Sequence, residues 1–240
     1  MTVTLVGAGP GDPGLITVRG LERLRACDAV VYDRLVAPEL VDEAPADALR
    51  IARENLSQAE VDELLVRLGR QGLDVVRLKG GDPYVFGRGG EEAIALIEAD
   101  IPVEVVPGIS SVAAVPAAAG IPVTHRGVSD RVTIATGHAA DGSPPDYDAL
   151  AAAGGTLVLF MGLARLRELA DGLVRAGMSP DTPAAVVSRG TLPDQEVATA
   201  TLDTIADAAE GLPAPALVVV GDVVGLAPRL RRRSPAALLA

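Results

Sequence analysis

Short apolar runs rich in valine, isoleucine and leucine recur along this chain, and between them lie segments whose apolar residues return at the helical period. Strands buried on both faces read as continuous hydrophobic runs, and joining parallel strands takes a crossover helix. The alternation therefore confines the chain to the α/β class. In the first half Val3–Val6, Ala29–Tyr32, Val75–Leu78 and Val103–Val106 read as strands, and Leu15–Arg25, Gly90–Ala99 and Ser110–Ala119 as helices. Ser57-Gln-Ala-Glu60 has the form of a capping box and opens a helix to about Gln71 that buries Val61, Leu64, Leu65 and Leu68. The second half repeats the pattern, with strands near Val132–Ala135, Leu157–Phe160, Ala184–Val187 and Leu217–Val220 and helices near Tyr147–Ala152, Leu163–Ala176 and Leu202–Ala209. Turn chemistry at both ends of Gly120–Gly127 places a domain boundary just after that run. The expected organisation is one α/β domain over 1–127, a second over 128–226, and a tail over 227–240 outside the core.

The charge balance narrows the partners. A net charge of −11 opposes general affinity for nucleic acid or anionic lipid. No apolar run reaches the roughly 18–20 residues of a membrane span, and Met1-Thr-Val-Thr-Leu5 lacks the pattern of a secretion signal, so a cytoplasmic protein is expected. Cys27 is the single cysteine, which excludes an intramolecular disulfide and suits a reducing compartment. Lys79 is the only lysine, so positive charge is carried almost wholly by arginine, whose planar fork pairs with carboxylates through two parallel hydrogen bonds.

Two glycine-rich turns follow predicted strands. Gly7-Ala-Gly-Pro-Gly-Asp12 is a poor match to a dinucleotide fingerprint, because its third glycine falls one place early and Pro10 removes a backbone donor. The segment from Arg77 to Glu92 carries two glycine pairs, a proline and Asp82 directly after a buried strand, where parallel sheets bind ligands. Glycines there let a ligand approach the backbone, and Asp82 offers an acceptor for an amine or a ribose. The two histidines, His125 and His138, have no metal-site spacing, so no metal is expected.

Gly7-Ala-Gly-Pro-Gly-Asp-Pro13, Tyr32-Asp-Arg-Leu35, Arg77 to Glu92, Val106-Pro-Gly-Ile-Ser110 and Gly120-Ile-Pro-Val-Thr-His-Arg126 occur in one order, followed by Thr136-Gly-His138, Phe160-Met-Gly-Leu163 and Arg189-Gly-Thr191. Together they resemble the uroporphyrinogen-III C-methyltransferases of the tetrapyrrole methylase family, over roughly Val3 to Val224. The resemblance implies two α/β domains with the active site in the trough between them, a homodimer, and S-adenosylmethionine as methyl donor with no metal. It implies donor contacts from Pro10, Gly80, Gly81, Asp82, Val85, Ser110, Ser111, Met161 and Gly190. The acidic arms of the tetrapyrrole would meet Arg126, Arg88 and Arg34, with His125 nearby, and Asp33 would be the base. The implied reaction methylates uroporphyrinogen III at C2 and C7 to give precorrin-2, on the route to sirohaem or cobalamin.

One departure counts against a simple transfer of function. The family carries a glycine-lysine-arginine loop after the Tyr-Asp-Arg-Leu motif, and its lysine is held to donate a proton. Here the interval reads Leu49-Arg-Ile-Ala-Arg-Glu-Asn-Leu-Ser57. Arg50 and Arg53 supply charge, but neither donates a proton near neutral pH. A protein that binds donor or tetrapyrrole without turnover is therefore the second reading, and an NAD-dependent oxidoreductase, resting on the misfit glycine turn alone, the third.

Overall fold

The computed structural model describes residues 1–137 and 142–231, so His138 and most of the expected tail lie outside the described residues. The chain divides into two units, Met1–Ser111 and Val112–Ala240. This division falls earlier than the boundary read after Gly127. The reason is packing, since Val115, Ala119 and Ile121 belong to one apolar cluster with Val158, Val187 and Val219.

In the first unit, β1 (Val3–Gly7), α1 (Val18–Leu24), β2 (Ala29–Tyr32), α2 (Pro38–Val41), β3 (Leu49–Ala52), α3 (Gln58–Arg70), β4 (Val75–Lys79), α4 (Gly89–Glu98) and β5 (Val103–Val106) follow one another. The five strands form a parallel sheet in the order β3-β2-β4-β1-β5. Central β1 and β4 are buried along their whole length, as parallel strands covered on both faces are. The apolar pattern missed the short α2 and the strand β3. β3 is an edge strand with Leu49, Arg50 and Ala52 exposed, so it carries little hydrophobic signal. The Ser57–Glu60 capping box is formed, with the Glu60 carboxylate accepting from Ser57 N–H at 2.7 Å, and the predicted Val61, Leu64, Leu65 and Leu68 face is buried. The first helix starts later than expected, because Thr17 caps it through the Gly20 N–H.

The second unit holds most of α5 (Ser111–Ala118), then β6 (Val132–Thr136), α6 (Tyr147–Ala153), β7 (Thr156–Phe160), α7 (Leu166–Arg175), β8 (Pro183–Ser188), β9 (Glu196–Thr201), α8 (Ile205–Ala208), β10 (Ala216–Val220) and α9 (Ala227–Arg231). Its sheet runs β6-β7-β10-β8-β9 and is mixed, not parallel as the repeated alternation suggested. Only β6 and β7 pair in parallel. β10 runs antiparallel to both β7 and β8, and β8 turns back into β9. β9, Glu-Val-Ala-Thr-Ala-Thr, is half-buried at the sheet edge and too polar to announce itself in sequence. No helix among the described residues is long and apolar enough to cross a membrane.

Candidate active site

The order β4-β1-β5 sets three loop-bearing carboxyl ends side by side, where open parallel sheets bind ligands. The loops are packed backbone against backbone. Gly9 and Gly81 exchange hydrogen bonds, Gly81 N–H donating to Gly9 O at 2.7 Å and Gly9 N–H to Gly81 O at 3.2 Å. A Cβ on Gly7 would lie 2.4 Å from Gly108 Cα, and one on Gly108 2.2 Å from Gly81 O, so side chains are excluded there by the neighbouring loop. Gly80 and Gly81 differ. A Cβ on Gly80 would meet nothing nearer than Leu35 Cβ at 3.7 Å, and one on Gly81 nothing nearer than Ser111 Oγ at 3.8 Å. Space remains over these two glycines, and Gly81 has the left-handed φ of +65° that disfavours any other residue.

Of the expected donor contacts, Gly81 and Ser111 are neighbours, and Pro10 is half-buried in the loop that Gly9 ties to Gly81. Asp82 has a bracing role that sequence did not suggest. One of its oxygens accepts from Tyr84 N–H at 2.8 Å and the other from Gly108 N–H at 3.0 Å, so it pins the β4 loop to the β5 loop. Val85 follows in a tight turn whose Val85 N–H donates to Asp82 O, and Ser110 is half-buried just past β5.

Asp33 sits immediately beyond β2, its Oδ1 receiving Arg77 Nη2 at 2.5 Å, with a quarter of its side chain (25%) exposed. Behind it lies a buried ionic group that sequence reading passed over. Arg77 Nε and Lys79 Nζ donate to the same Glu92 Oε1 at 3.1 and 2.9 Å, and all three side chains are at most 1% exposed. Burial pushes the Lys79 ammonium below the usual lysine range, Arg77 adds to this, and Glu92 opposes it. The signal was available, since two cations two residues apart interrupt an otherwise apolar strand and share one of its faces.

The candidate substrate arginines stand differently. Arg34 is exposed. Arg88, left-handed at φ 60°, is already paired with Glu91, through Nε at 3.0 Å and Nη2 at 2.6 Å. That pairing raises the Arg88 pKa and lowers that of Glu91, so a substrate carboxylate would compete with Glu91. In the second unit Arg126 is exposed beside a turn in which His125 N–H donates to Ser129 O at 2.9 Å. His125 Nδ1 lies 2.9 Å from Arg126 O, and a carbonyl only accepts, so Nδ1 carries the proton.

Met161 and Gly190 follow β7 and β8, which run in the same direction and so end on one edge of the second sheet. Met161 is left-handed and half exposed (50%). Gly190 is hemmed in, because a Cβ there would approach Val115 Cγ1 to 2.5 Å. In the Leu49–Ser57 interval both arginines bond to backbone carbonyls. Arg50 donates to the carbonyls of Ala44, Ala46 and Ala48, and Arg53 to that of Leu56.

With this geometry in hand, comparison with known proteins is specific. Residues 2–206 match the family model of the tetrapyrrole (corrin/porphyrin) methylases. A uroporphyrinogen III methyltransferase of Methanosarcina barkeri, described as dependent on S-adenosyl-L-methionine, is 48% identical over 235 residues, 93% of this chain and 92% of that protein. The siroheme synthase of Sodalis glossinidius is 48% identical over 231 residues, 93% of this chain but 49% of the relative, so the chain spans about half the length of the curated siroheme synthases it matches. Among solved structures, the uroporphyrin-III C-methyltransferase of Thermus thermophilus in complex with S-adenosyl homocysteine has a TM-score of 0.84 at 39% identity, covering 94% of this chain and 100% of that one. The chain belongs to the tetrapyrrole methylases.

Proposed function

We propose that this protein transfers methyl groups from S-adenosylmethionine to C2 and C7 of uroporphyrinogen III, giving precorrin-2. The observation that carries the reading is the open backbone shelf at Gly80 and Gly81 on the same sheet edge as the Arg77-held carboxylate of Asp33. A sulfonium nucleoside fits such a shelf, because a Cβ at Gly80 or Gly81 would occupy space that the protein itself leaves open. Pro10, Gly80, Gly81, Asp82, Val85, Ser110 and Ser111 are the proposed donor contacts of the first unit, and Met161 and Gly190 those of the second.

What the bound donor supplies is a methyl group on positively charged sulfur. The ring carbon forms its new bond to that methyl as the sulfur–carbon electron pair returns to sulfur, and the resulting cation sheds a proton. The protein's share is alignment, which can supply several kcal/mol, and a proton acceptor. Asp33 is that acceptor in this proposal. Arg77 occupies Oδ1, and the exposed part of the carboxylate takes the proton. Arg126, Arg34 and Arg88 are the proposed partners for the substrate's acidic arms, Arg88 by exchanging Glu91 for a substrate carboxylate, with His125 beside Arg126. No residue is assigned to the proton-donating step of the family's missing lysine. A cytoplasmic homodimer completes the reading, and light scattering tests the dimer.

The experiment is incubation with uroporphyrinogen III and methyl-labelled donor. Two labelled methyl groups per tetrapyrrole are expected. Label accepted only by a later precorrin would reassign the substrate, and tight donor binding with no product over hours would favour the non-catalytic reading.

A further inference from the structure

We propose that Arg77, Glu92 and Lys79 form a buried positioning unit that fixes the Asp33 carboxylate and sets the pH range in which it accepts a proton. The inference rests on the reading of Asp33 as the base.

The geometry is a chain of constraints. Glu92 Oε1 receives both Arg77 Nε and Lys79 Nζ, and Gln58 Nε2 stands 3.4 Å from the same oxygen. Arg77 Nη1 is spent on the carbonyls of Val31 and Leu78, each at 3.3 Å. With its other nitrogens anchored, the guanidinium holds Nη2 in one place, and Nη2 meets Asp33 Oδ1 at 2.5 Å. Asp33 is the one member of the four that reaches solvent.

The charges bear on the same point. Two buried cations share one buried carboxylate, and Asp33 completes a neutral set. A buried set lacking one partner leaves an uncompensated charge in a poor dielectric. When Asp33 takes up a proton the set acquires one positive charge, so the ease of that uptake depends on Lys79 and Glu92. Burial is the main cause that depresses the Lys79 ammonium; Arg77 adds to it, and Glu92 and Asp33 oppose it. The charged groups around it are Arg77 and Lys79 on β4, Glu91 and Glu92 on α4 with Arg88 at its cap, and Asp62 on α3, held through Gln58.

The test is the pH profile of kcat in the methylation assay for wild type, Glu92→Gln, Lys79→Met and the double variant. The acidic limb reports the base in its complex. Glu92→Gln adds net positive charge and should move that limb to lower pH. Lys79→Met removes positive charge and should move it to higher pH, and the double variant should return it towards wild type. Glu92→Asp keeps the charge but shortens the link, so kcat should fall about 10- to 100-fold with the limb unmoved and donor affinity unchanged. Limbs that stay in place or move in the same direction, in variants whose circular dichroism is native, overturn the proposal. If the single neutral variants do not fold, wild-type kcat in Glu92→Asp overturns it. An inactive wild type, or full activity in Asp33→Asn, would instead sink the functional reading on which it rests.

Discussion

The two units bury polar side chains of different kinds. Among the described residues, the first unit buries the charged Arg77, Lys79 and Glu92 beside one hydroxyl, Thr4, whereas the second buries hydroxyls alone, those of Ser129, Thr156 and Ser188. The hydroxyls are satisfied by what lies nearest. Thr156 Oγ1 donates to Ser129 Oγ and Ser129 Oγ to Arg131 O, each at 3.0 Å, and Ser188 Oγ donates to Pro213 O at 2.5 Å. A neutral hydroxyl is cheap to bury once it has a partner, and its bond contributes about 1 kcal/mol. Taking a charge out of water costs several kcal/mol even after relaxation, and well-packed apolar residues often serve stability as well or better. The ionic group of the first unit is therefore poorly explained as a stabilising device. It lies at the end of β4, just before Gly80 and Gly81, and touches the one carboxylate that the proposed chemistry needs.

The sharpest way to break this contrast is to remove the carboxylate at the end of the ionic chain. Asp33→Asn keeps the shape and should lower turnover by about 10²–10⁴-fold while donor affinity is spared, measured with labelled donor and by calorimetry. Ser188→Ala, its counterpart among the hydroxyls, should leave turnover unchanged. The next contrast is in stability. Glu92→Ala strands two buried cations and should cost about 3–5 kcal/mol in urea unfolding, against about 1 kcal/mol for Ser188→Ala. Equal losses would mean that the buried ions are mere packing.

A smaller effect separates two glycines. Gly81→Val should abolish donor binding, because the side chain would stand in open space over the shelf, and its left-handed backbone should cost about 1–2 kcal/mol of stability. Gly190→Ala should cost about 1–3 kcal/mol by overpacking against Val115. Unchanged donor affinity in Gly81→Val would remove the proposed pocket.

What could be read in advance follows from where information is local. The buried strands β1, β4 and β10 and the capped helix α3 were legible because apolar runs and a capping box are properties of neighbouring residues. The edge strands β3 and β9 were not, since half-exposed backbone pairing leaves no hydrophobic trace. Strand direction in the second sheet was invisible because burial patterns do not encode it. At the site, the glycine-rich loop after β4 announced itself, but the bracing role of Asp82 depends on Gly108, 26 positions away, and the Asp33–Arg77 pair on residues 44 apart. The release of Asp82 from a purely ligand-facing role, and the commitment of Arg50 to three backbone carbonyls, are facts of tertiary structure.

The smallest expected effect concerns Lys79 and alkaline pH. Its folded-state pKa is lowered from the ordinary 10.5, chiefly by burial, so in the folded protein the ammonium gives up its proton at lower pH than in the unfolded chain. Between the lowered value and 10.5 the unfolded chain holds more protons, and stability contributed by this group therefore rises with pH across that window. Below the window both states are charged and the full cost of burying the ammonium is present. Cys27 works in the opposite sense, because burial raises its thiol above 9.0 and stability is lost as pH climbs past that point. The informative quantity is thus the difference between wild type and Lys79→Met, in which the cysteine cancels. That difference, from urea unfolding at a series of alkaline pH values, should shift in favour of wild type as pH rises. A flat difference would mean that burial does not depress the Lys79 ammonium, whereas a rise already under way at neutral pH would mean that Lys79 is uncharged there, and the neutral four-group set built on it would fall.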